Sequence, residues 1–321
     1  KKGTMTFAYQ KVDESRVNRK FGEIIRSNKL ESVDVFSLNA DFFGHSKGGH
    51  SYSYGLEWAQ NKINSRAYAF DLELDFESIT GFINQRPIPS RYPDNGSSAT
   101  SYAIYLNWIF ELNKRLNLNA GLRLTSSNLN GNWNKIASVD KLLSSVKLDS
   151  EALTYTLAIT YRPNEKLKIN GLLSSGFRNP NIDDIGKIRE NNGILLVPNS
   201  FLKPEYAYTF ESGIKIHSNN QKSYFDLRGF STLVSRHIVR SNFIVFSDTS
   251  TEDQNTIIYN GDEVLTQANK NLGNRFIYGL CLEGKLSLGS LMKLYGGAVS
   301  YTHLRAHETK ANLVCRLLLE K

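Results

Sequence analysis

The chain has 321 residues, with 39 Lys and Arg against 31 Asp and Glu, a formal net charge of +8, 40% hydrophobic residues and only 2 Cys. No apolar run approaches the roughly 20 residues that a membrane-spanning helix needs, which excludes a helical membrane protein. The basic excess is spread rather than clustered, so nucleic acid is not an expected partner, and no phosphate-binding glycine loop, nucleotide signature or metal-ligand cluster stands out.

In chain order, the first clear element is Ser51 to Trp58, where Tyr52, Tyr54, Leu56 and Trp58 alternate with Ser51, Ser53 and Glu57. That is the period of a β-strand whose two faces meet different solvents. The pattern returns in Tyr102, Ile104, Leu106, Trp108 and Phe110, in Leu116 to Leu124, and in Tyr208, Phe210, Ile214 and Ile216. Segment 68–76 also alternates, Tyr68, Phe70, Leu72, Leu74 and Phe76 against Ala69, Asp71, Glu73 and Asp75, but its second face is acidic. It is expected to be a hairpin arm or strand extension within an outer loop.

Between these elements, turns at 44–49, 113–115, 162–166, 218–222 and 287–290 are short, whereas those at 61–99, 127–150, 178–204 and 240–271 are long. Short and long take turns, as they do in an antiparallel up-and-down β-barrel with tight periplasmic turns on one rim and long outer loops on the other. A Greek-key sandwich has no reason to alternate in this way. The fold expected is therefore an all-β transmembrane barrel, and the 16 Tyr and 17 Phe suit its interfacial girdles. Gly48-Gly49 belongs to a turn.

The end of the chain reads differently. VSYTHLRAHET, Val299 to Thr309, is similar to a translation of the end of a transposase-type DNA sequencing adapter. Beyond that adapter's variable index, the same frame gives Leu313-Val314-Cys315-Arg316-Leu317-Leu318-Leu319 and demands a codon ending in AT at position 312, where Asn312 stands. Residues 299–321 are thus expected to be adapter-derived and to form no domain, leaving 1–298 as native barrel. His303 and His307 then lose any meaning as a metal pair. Four basic and two acidic residues drop out, so the charge of +8 becomes +6. Cys281 is left as the single cysteine, a small wall residue between Leu280 and Leu282. The chain also opens on Lys1-Lys2-Gly3 without an initiator Met or a leader, and is expected to be a fragment.

SSGFRNPNIDDIG (Ser174 to Gly186) followed by VPNSFLKPE (Val197 to Glu205) and YTFESGIK (Tyr208 to Lys215) resembles the C-terminal barrel of TonB-dependent outer-membrane receptors. In that family an aromatic-Arg-X-Pro box closes one strand and an Asn-X-Leu-Lys-Pro-Glu-like box opens the next. RYPDNGSS (Arg91 to Ser98), YQKVDESRVNRKFG (Tyr9 to Gly22) and YGLEWAQNKINS (Tyr54 to Ser65) extend the likeness over most of the chain. The resemblance implies a barrel of about 22 strands, of which about eleven spanning strands are expected here. It further implies an N-terminal plug lying outside this sequence, and active uptake powered by the TonB complex acting through that plug. Outer-membrane lipid, lipopolysaccharide and a small-molecule or metal-chelate ligand are the other partners it implies. Ferric siderophore, haem, cobalamin and glycan all fit as ligand. No cofactor or catalytic residue is expected. A passive porin and an outer-membrane hydrolase are the alternatives, but the scattered His residues form no catalytic constellation.

Arg91, Tyr92 and Arg178 are the candidate ligand-binding residues. Pro180 and Pro204 lack an amide donor and suit the points where strands leave or enter the sheet. Asn179 and Lys203 before them are biased towards extended backbone. Asp183 and Asp184 suit turn capping, and Arg178 suits anchoring the rim. Haem receptors of the family commonly carry an axial His between the two boxes, yet 179–203 contains none. His45, His50 and His217 fall beside short turns, which leaves His237 as the one His expected near a ligand.

Overall fold

The computed structural model describes residues 2–46, 48–76, 78–134, 145–245, 255–259, 262–289 and 292–305. The strands run β1 (Lys2–Asn18), β2 (Ile25–His45), β3 (Ser51–Asp75), β4 (Ser78–Pro87), β5 (Ser97–Asn113), β6 (Leu116–Asn132), β7 (Ser145–Tyr161) and β8 (Leu167–Arg178). A single helical turn, α1 (Ile182–Ile185), and two short strands, β9 (Arg189–Asn191) and β10 (Ile194–Leu196), precede β11 (Glu205–His217) and β12 (Tyr224–Ser235). Then β13 (Ile238–Asn242), β14 (Thr256–Tyr259) and β15 (Asp262–Asn271) lead to β16 (Asn274–Leu288) and β17 (Met292–Arg305).

Pairing follows the chain: β1-β2-β3-β5-β6-β7-β8-β11-β12-β16-β17 forms one antiparallel sheet, with β4 folded back on the end of β3. That is eleven strands in up-and-down order, with tight connections at 46–50, 114–115, 162–166, 218–223 and 289–291 on one rim. The intervening connections, including 179–204 and 236–273, fall on the opposite rim.

About 9–11 residues suffice to cross a bilayer, but β2 has 21 and β3 has 25. The surplus stands above the membrane, which is why β3 runs on to Asp75 and β5, β6 and β7 reach into ranges expected to be loop. Strand 68–76 is the extension of β3, paired with β4 through Leu72–Phe82 and Leu74–Ile79. Its acidic face is answered by β4: Asp71 accepts from Arg86 Nη1 at 2.8 Å and from Asn84 Nδ2 at 3.1 Å.

The two faces exchange character along the strands. At membrane height Leu122 and Leu124 of β6 and Leu153 and Leu157 of β7 point outward and are exposed, while the inward row carries Arg123, Thr125, Thr154 and Thr156. Higher up, the outward positions become Ser126, Asn128 and Asn130 on β6 and Lys147, Asp149 and Glu151 on β7. The inward ones become Leu129, Val146 and Leu148, and these three are packed. Lipid on one side below and water on that same side above account for the exchange.

Inside the wall, Arg123 Nη1 donates to Glu57 Oε1 at 2.8 Å, and the Tyr105 hydroxyl bonds to Asp41. Tyr105 lies across Gly55, where an added Cβ would come within 2.7 Å of the ring and 2.5 Å of the Ala40 carbonyl. Only glycine leaves room for the ring there. Cys281 sits in the inward row opposite Arg228, half-buried and free.

Strand β17 continues through Val299 to Arg305, into the stretch that reads as adapter; residues 306–321 lie outside those described. Ser300 and Thr302 of its outward row are polar, although Leu280 and Tyr278 opposite them still present their side chains outward.

Replacing the outward Leu106 with Arg in the intact protein is expected to cost about 2–4 kcal/mol near the bilayer midplane, and replacing the inward Asn107 clearly less. Urea titration of the detergent-refolded protein separates the two, and equal losses would refute the facing. Gly55→Val is expected to cost about 1–3 kcal/mol through overpacking. Gly284→Ala should be silent, since an added Cβ there meets nothing nearer than 3.8 Å; heat-modifiable electrophoretic migration compares the pair.

Candidate functional site

Above the membrane the inward face is covered by a folded cap. Leu129, Trp133 and Val146 from the wall pack with Ile182, Ile185, Leu195, Val197 and Leu202 of the β8–β11 connection, and with Ile238, Val264 and Ala268 of the β12–β16 connection. Ile185 and Leu195 are completely buried, and each such side chain contributes about 1.5–3 kcal/mol. A second sheet, β13-β15-β10-β9 with β14 on β15, holds these residues together.

The two sequence boxes build this cap. Pro180 ends β8, and Asn179 before it donates to Ser127 Oγ at 2.6 Å and accepts from Ser150 Oγ at 3.0 Å, pinning the exit to β6 and β7. Asn181 caps α1: its Oδ1 accepts from the Asp184 amide at 2.9 Å, and its own amide donates to Asp184 Oδ2 at 3.1 Å. In the second box Asn199 Nδ2 donates to the Asn269 carbonyl at 2.7 Å, and Asn269 Nδ2 donates to the Asp184 carbonyl at 3.0 Å. Glu205 Oε2 accepts from His237 Nδ1 at 2.9 Å and from the Ile238 amide at 2.7 Å. His237 is thereby tied to the second box.

Of the three residues singled out from sequence, two meet and one does not join them. Arg178 Nη2 donates to both oxygens of Asp184 at 2.7 Å, so it braces its own box. Arg91 and Tyr92 belong to the strap 88–96 between β4 and β5, which runs along the inward face. The Tyr92 hydroxyl donates to Asp183 Oδ1 at 3.0 Å, Arg91 Nη2 donates to the same oxygen at 3.3 Å, and Lys187 Nζ lies 3.1 Å from both oxygens. Asp183 therefore gathers donors from the strap and from the β8–β11 connection. Behind the strap, Pro93 is buried against Gly131, whose missing Cβ would lie 2.8 Å from its ring.

Burial alone would raise the Asp183 carboxyl, but Lys187, Tyr92 and Arg91 outweigh it and hold the group below its usual range. The Tyr92 phenol moves the other way, pushed up to about 12 by burial and then by the Asp183 charge. Below the strap, Glu31 of β2 is 4% exposed and neither of its oxygens has a hydrogen bond among the described residues. Burial raises its carboxyl, with Arg16 and Arg91 acting in the opposite sense. From the sequence Asp183 reads as a residue for turn capping and not as a ligand-site residue, and Lys187 and Glu31 are not singled out. The Asp-Asp pair after the first box was the available signal for Asp183, while Glu31 sits in an alternating charged run that reads as ordinary surface. Among the described residues no three His, Cys, Asp or Glu side chains assemble into a metal site.

Residues 3–314 match the family described as TonB dependent receptor-like, beta-barrel. The chain belongs to the TonB-dependent receptor family. That family is one of receptors rather than enzymes, and it resides in the outer membrane of Gram-negative bacteria. A hemoglobin and hemoglobin-haptoglobin-binding protein of Haemophilus ducreyi is 28% identical over 159 residues, covering 48% of this chain and 15% of that protein. Among solved structures, the copper transporter OprC superposes with a TM-score of 0.68 at 12% identity, covering 95% of this chain and 44% of that one. The Serratia marcescens hemophore receptor HasR, solved with its hemophore HasA and heme, gives 0.56 at 16% identity, covering 94% and 49%. This TonB-dependent receptor barrel thus spans a minor part of its relatives' length.

Asp183→Asn is expected to loosen the cap by about 1 kcal/mol, discounted because Asp183 is partly exposed, and to raise hydrogen exchange across 179–204 while the barrel stays heat-modifiable. A carboxyl held below its unfolded value stabilises the fold fully above about pH 4 and loses that contribution as pH falls through the lower folded value. The variant should therefore flatten the acid limb of cap stability. An unchanged limb would exclude Asp183 as the junction.

Proposed function

We propose that this chain is the barrel portion of a receptor that captures a scarce ligand at the outer mouth and takes it up with energy delivered by the TonB complex through a plug domain. The observation that carries this reading is the cap. An apolar core of loop residues lies over the inward face, where a passive porin needs an open aqueous path. Lipid and lipopolysaccharide meet the outward apolar row, and the ligand meets the inward side. Arg91 and Tyr92 are the contacts assigned to the ligand: they stand on the strap at the inner side of the mouth, on a loop positioned by a rigid wall. Arg178 is assigned to the rim, since its guanidinium is committed to Asp184.

Among ferric siderophores, haem, cobalamin and glycans, haem is favoured by the Haemophilus ducreyi relative, which is named for binding hemoglobin. The test is haemin-dependent growth under iron limitation of a strain that has this receptor as its sole route. Uptake should stop when the proton gradient is collapsed, and a passive channel would continue. Arg91→Ala and Tyr92→Ala should weaken haemin binding at unchanged barrel stability, with Arg178→Ala affecting stability more than binding. Unaltered affinity in both strap variants would remove Arg91 and Tyr92 from the ligand site.

A further inference from the structure

The tight-turn rim carries a repeated device. In three neighbouring turns an Asn side chain accepts from the backbone amide of a basic residue two positions on: Asn113 Oδ1 from the Arg115 amide at 2.8 Å, Asn164 Oδ1 from the Lys166 amide at 3.0 Å, and Asn220 Oδ1 from the Lys222 amide at 3.0 Å. Asn closes such turns with its own side chain. The turns are also joined to one another, because the Arg162 amide donates to the Arg115 carbonyl at 2.7 Å and the His217 amide to the Lys166 carbonyl at 2.7 Å. Arg115, Arg162, Lys166 and Lys222 are thereby fixed along one continuous edge, from the β5–β6 turn to the β11–β12 turn.

What each turn requires is the Asn and an amide two residues later; nothing in that geometry asks the third residue to be charged. Yet segments 114–115, 162–166 and 218–223 hold five basic residues, Lys114 being the fifth, against the single acid Glu165. All five are exposed, and among the described residues none has a side-chain hydrogen bond or ion pair. Like charges held side by side cost stability, and Arg115 and Arg162 are neighbours through their backbone bond. The fold gains nothing from this charge.

The level at which the cations stand decides what they meet. On the opposite rim the strands rise well above the bilayer, but here the apolar outward row runs to the last residues of the wall. Leu116 stands directly opposite Tyr161, one position from Arg115 and from Arg162, and Leu167 stands opposite Ile216 beside Lys166. Tyr161 and Ile216 are exposed. No water-facing collar separates the cations from lipid, so they lie in the headgroup layer, where long basic side chains keep their stems on apolar surface and their charge among phosphates. Tight turns mark this rim as periplasmic.

We propose that the turns at 114–115, 162–166 and 218–223 form a docking edge for the phosphates of anionic phospholipid in the periplasmic leaflet. Arg offers a planar fork to a phosphodiester and Lys a compact charge, and the apolar row beside them takes the chains of the same lipid. Charge does the selecting. The row accepts any acyl chain, whereas the edge favours a headgroup of net negative charge over a zwitterionic one. Lipid capture here is independent of the ligand taken up at the mouth.

The experiment equilibrates the complete receptor that carries this chain with detergent micelles holding equal amounts of phosphatidylglycerol and phosphatidylcholine, and counts the retained lipids by native mass spectrometry. The wild type should retain phosphatidylglycerol preferentially. Arg115→Gln alone should lower that preference by up to about fivefold, the contribution of one basic residue at an anionic membrane surface, while Arg115→Lys should keep it. The quadruple variant Arg115→Gln/Arg162→Gln/Lys166→Gln/Lys222→Gln should retain the two lipids equally. Lys62→Gln, which removes the same charge at the opposite rim where Lys62 of β3 faces Ser98, should leave the preference unchanged. Heat-modifiable migration checks folding, and the single variants at exposed turn positions carry the test if the quadruple one fails to fold. Equal retention by the wild type overturns the edge, as does a preference that survives in the quadruple variant or falls as far in Lys62→Gln. A soluble acidic peptide that displaces phosphatidylglycerol, and no longer binds the same variants, would overturn the membrane as partner in favour of an acidic polypeptide.

Discussion

Every amide and carbonyl inside a bilayer must find its partner within the protein, because lipid offers none. From that requirement come the unbroken antiparallel pairing of eleven strands and the restriction of irregular backbone to the rims. The side chains follow the same logic. A wall that separates lipid from a polar interior has to alternate, so Leu106 and Asn107 are neighbours in sequence and opposites in environment. Where the wall leaves the bilayer, the constraint lapses on one face and a different one takes over. The outward row turns to Ser126, Asn128 and Asn130, and the inward row, through Leu129 and Val146, becomes the floor of an ordinary apolar core.

That core explains the two boxes better than ligand contact does. Their prolines mark where β8 ends and β11 begins, Asn179 ties the exit to two serine hydroxyls of the wall, and Asn181 and Asn199 serve backbone groups of the crossing. Glu205 does the same at the entry of β13 by receiving the Ile238 amide. Arg178 stays at home on Asp184. The neighbouring Asp183, one residue away on the same helical turn, faces the strap instead and ties Arg91 and Tyr92 to the cap.

Much of this was legible from the residues. Alternation at Tyr102 to Phe110 and Leu116 to Leu124 identified wall strands, and the rhythm of short and long turns identified their order. Segment 68–76 was readable as an arm because its acidic face had no place in a wall. Strand ends above the membrane were not legible, since there the outward face is polar and the inward face apolar, and the shift in phase at Glu151 to Leu153 reads as the end of a strand. Asp183 could be foreseen as a cap but not as a junction, because its partners lie about ninety residues upstream in the strap.

The sequence separation of the cap's residues also bears on how the molecule is assembled. Hairpins joined by tight turns close locally and early, whereas the cap draws Leu129, Ile185, Leu202 and Ala268 together across distant parts of the chain and must condense late. That order makes the cap rather than the wall the slow part of assembly, its pace set by how quickly the last apolar side chains find one another.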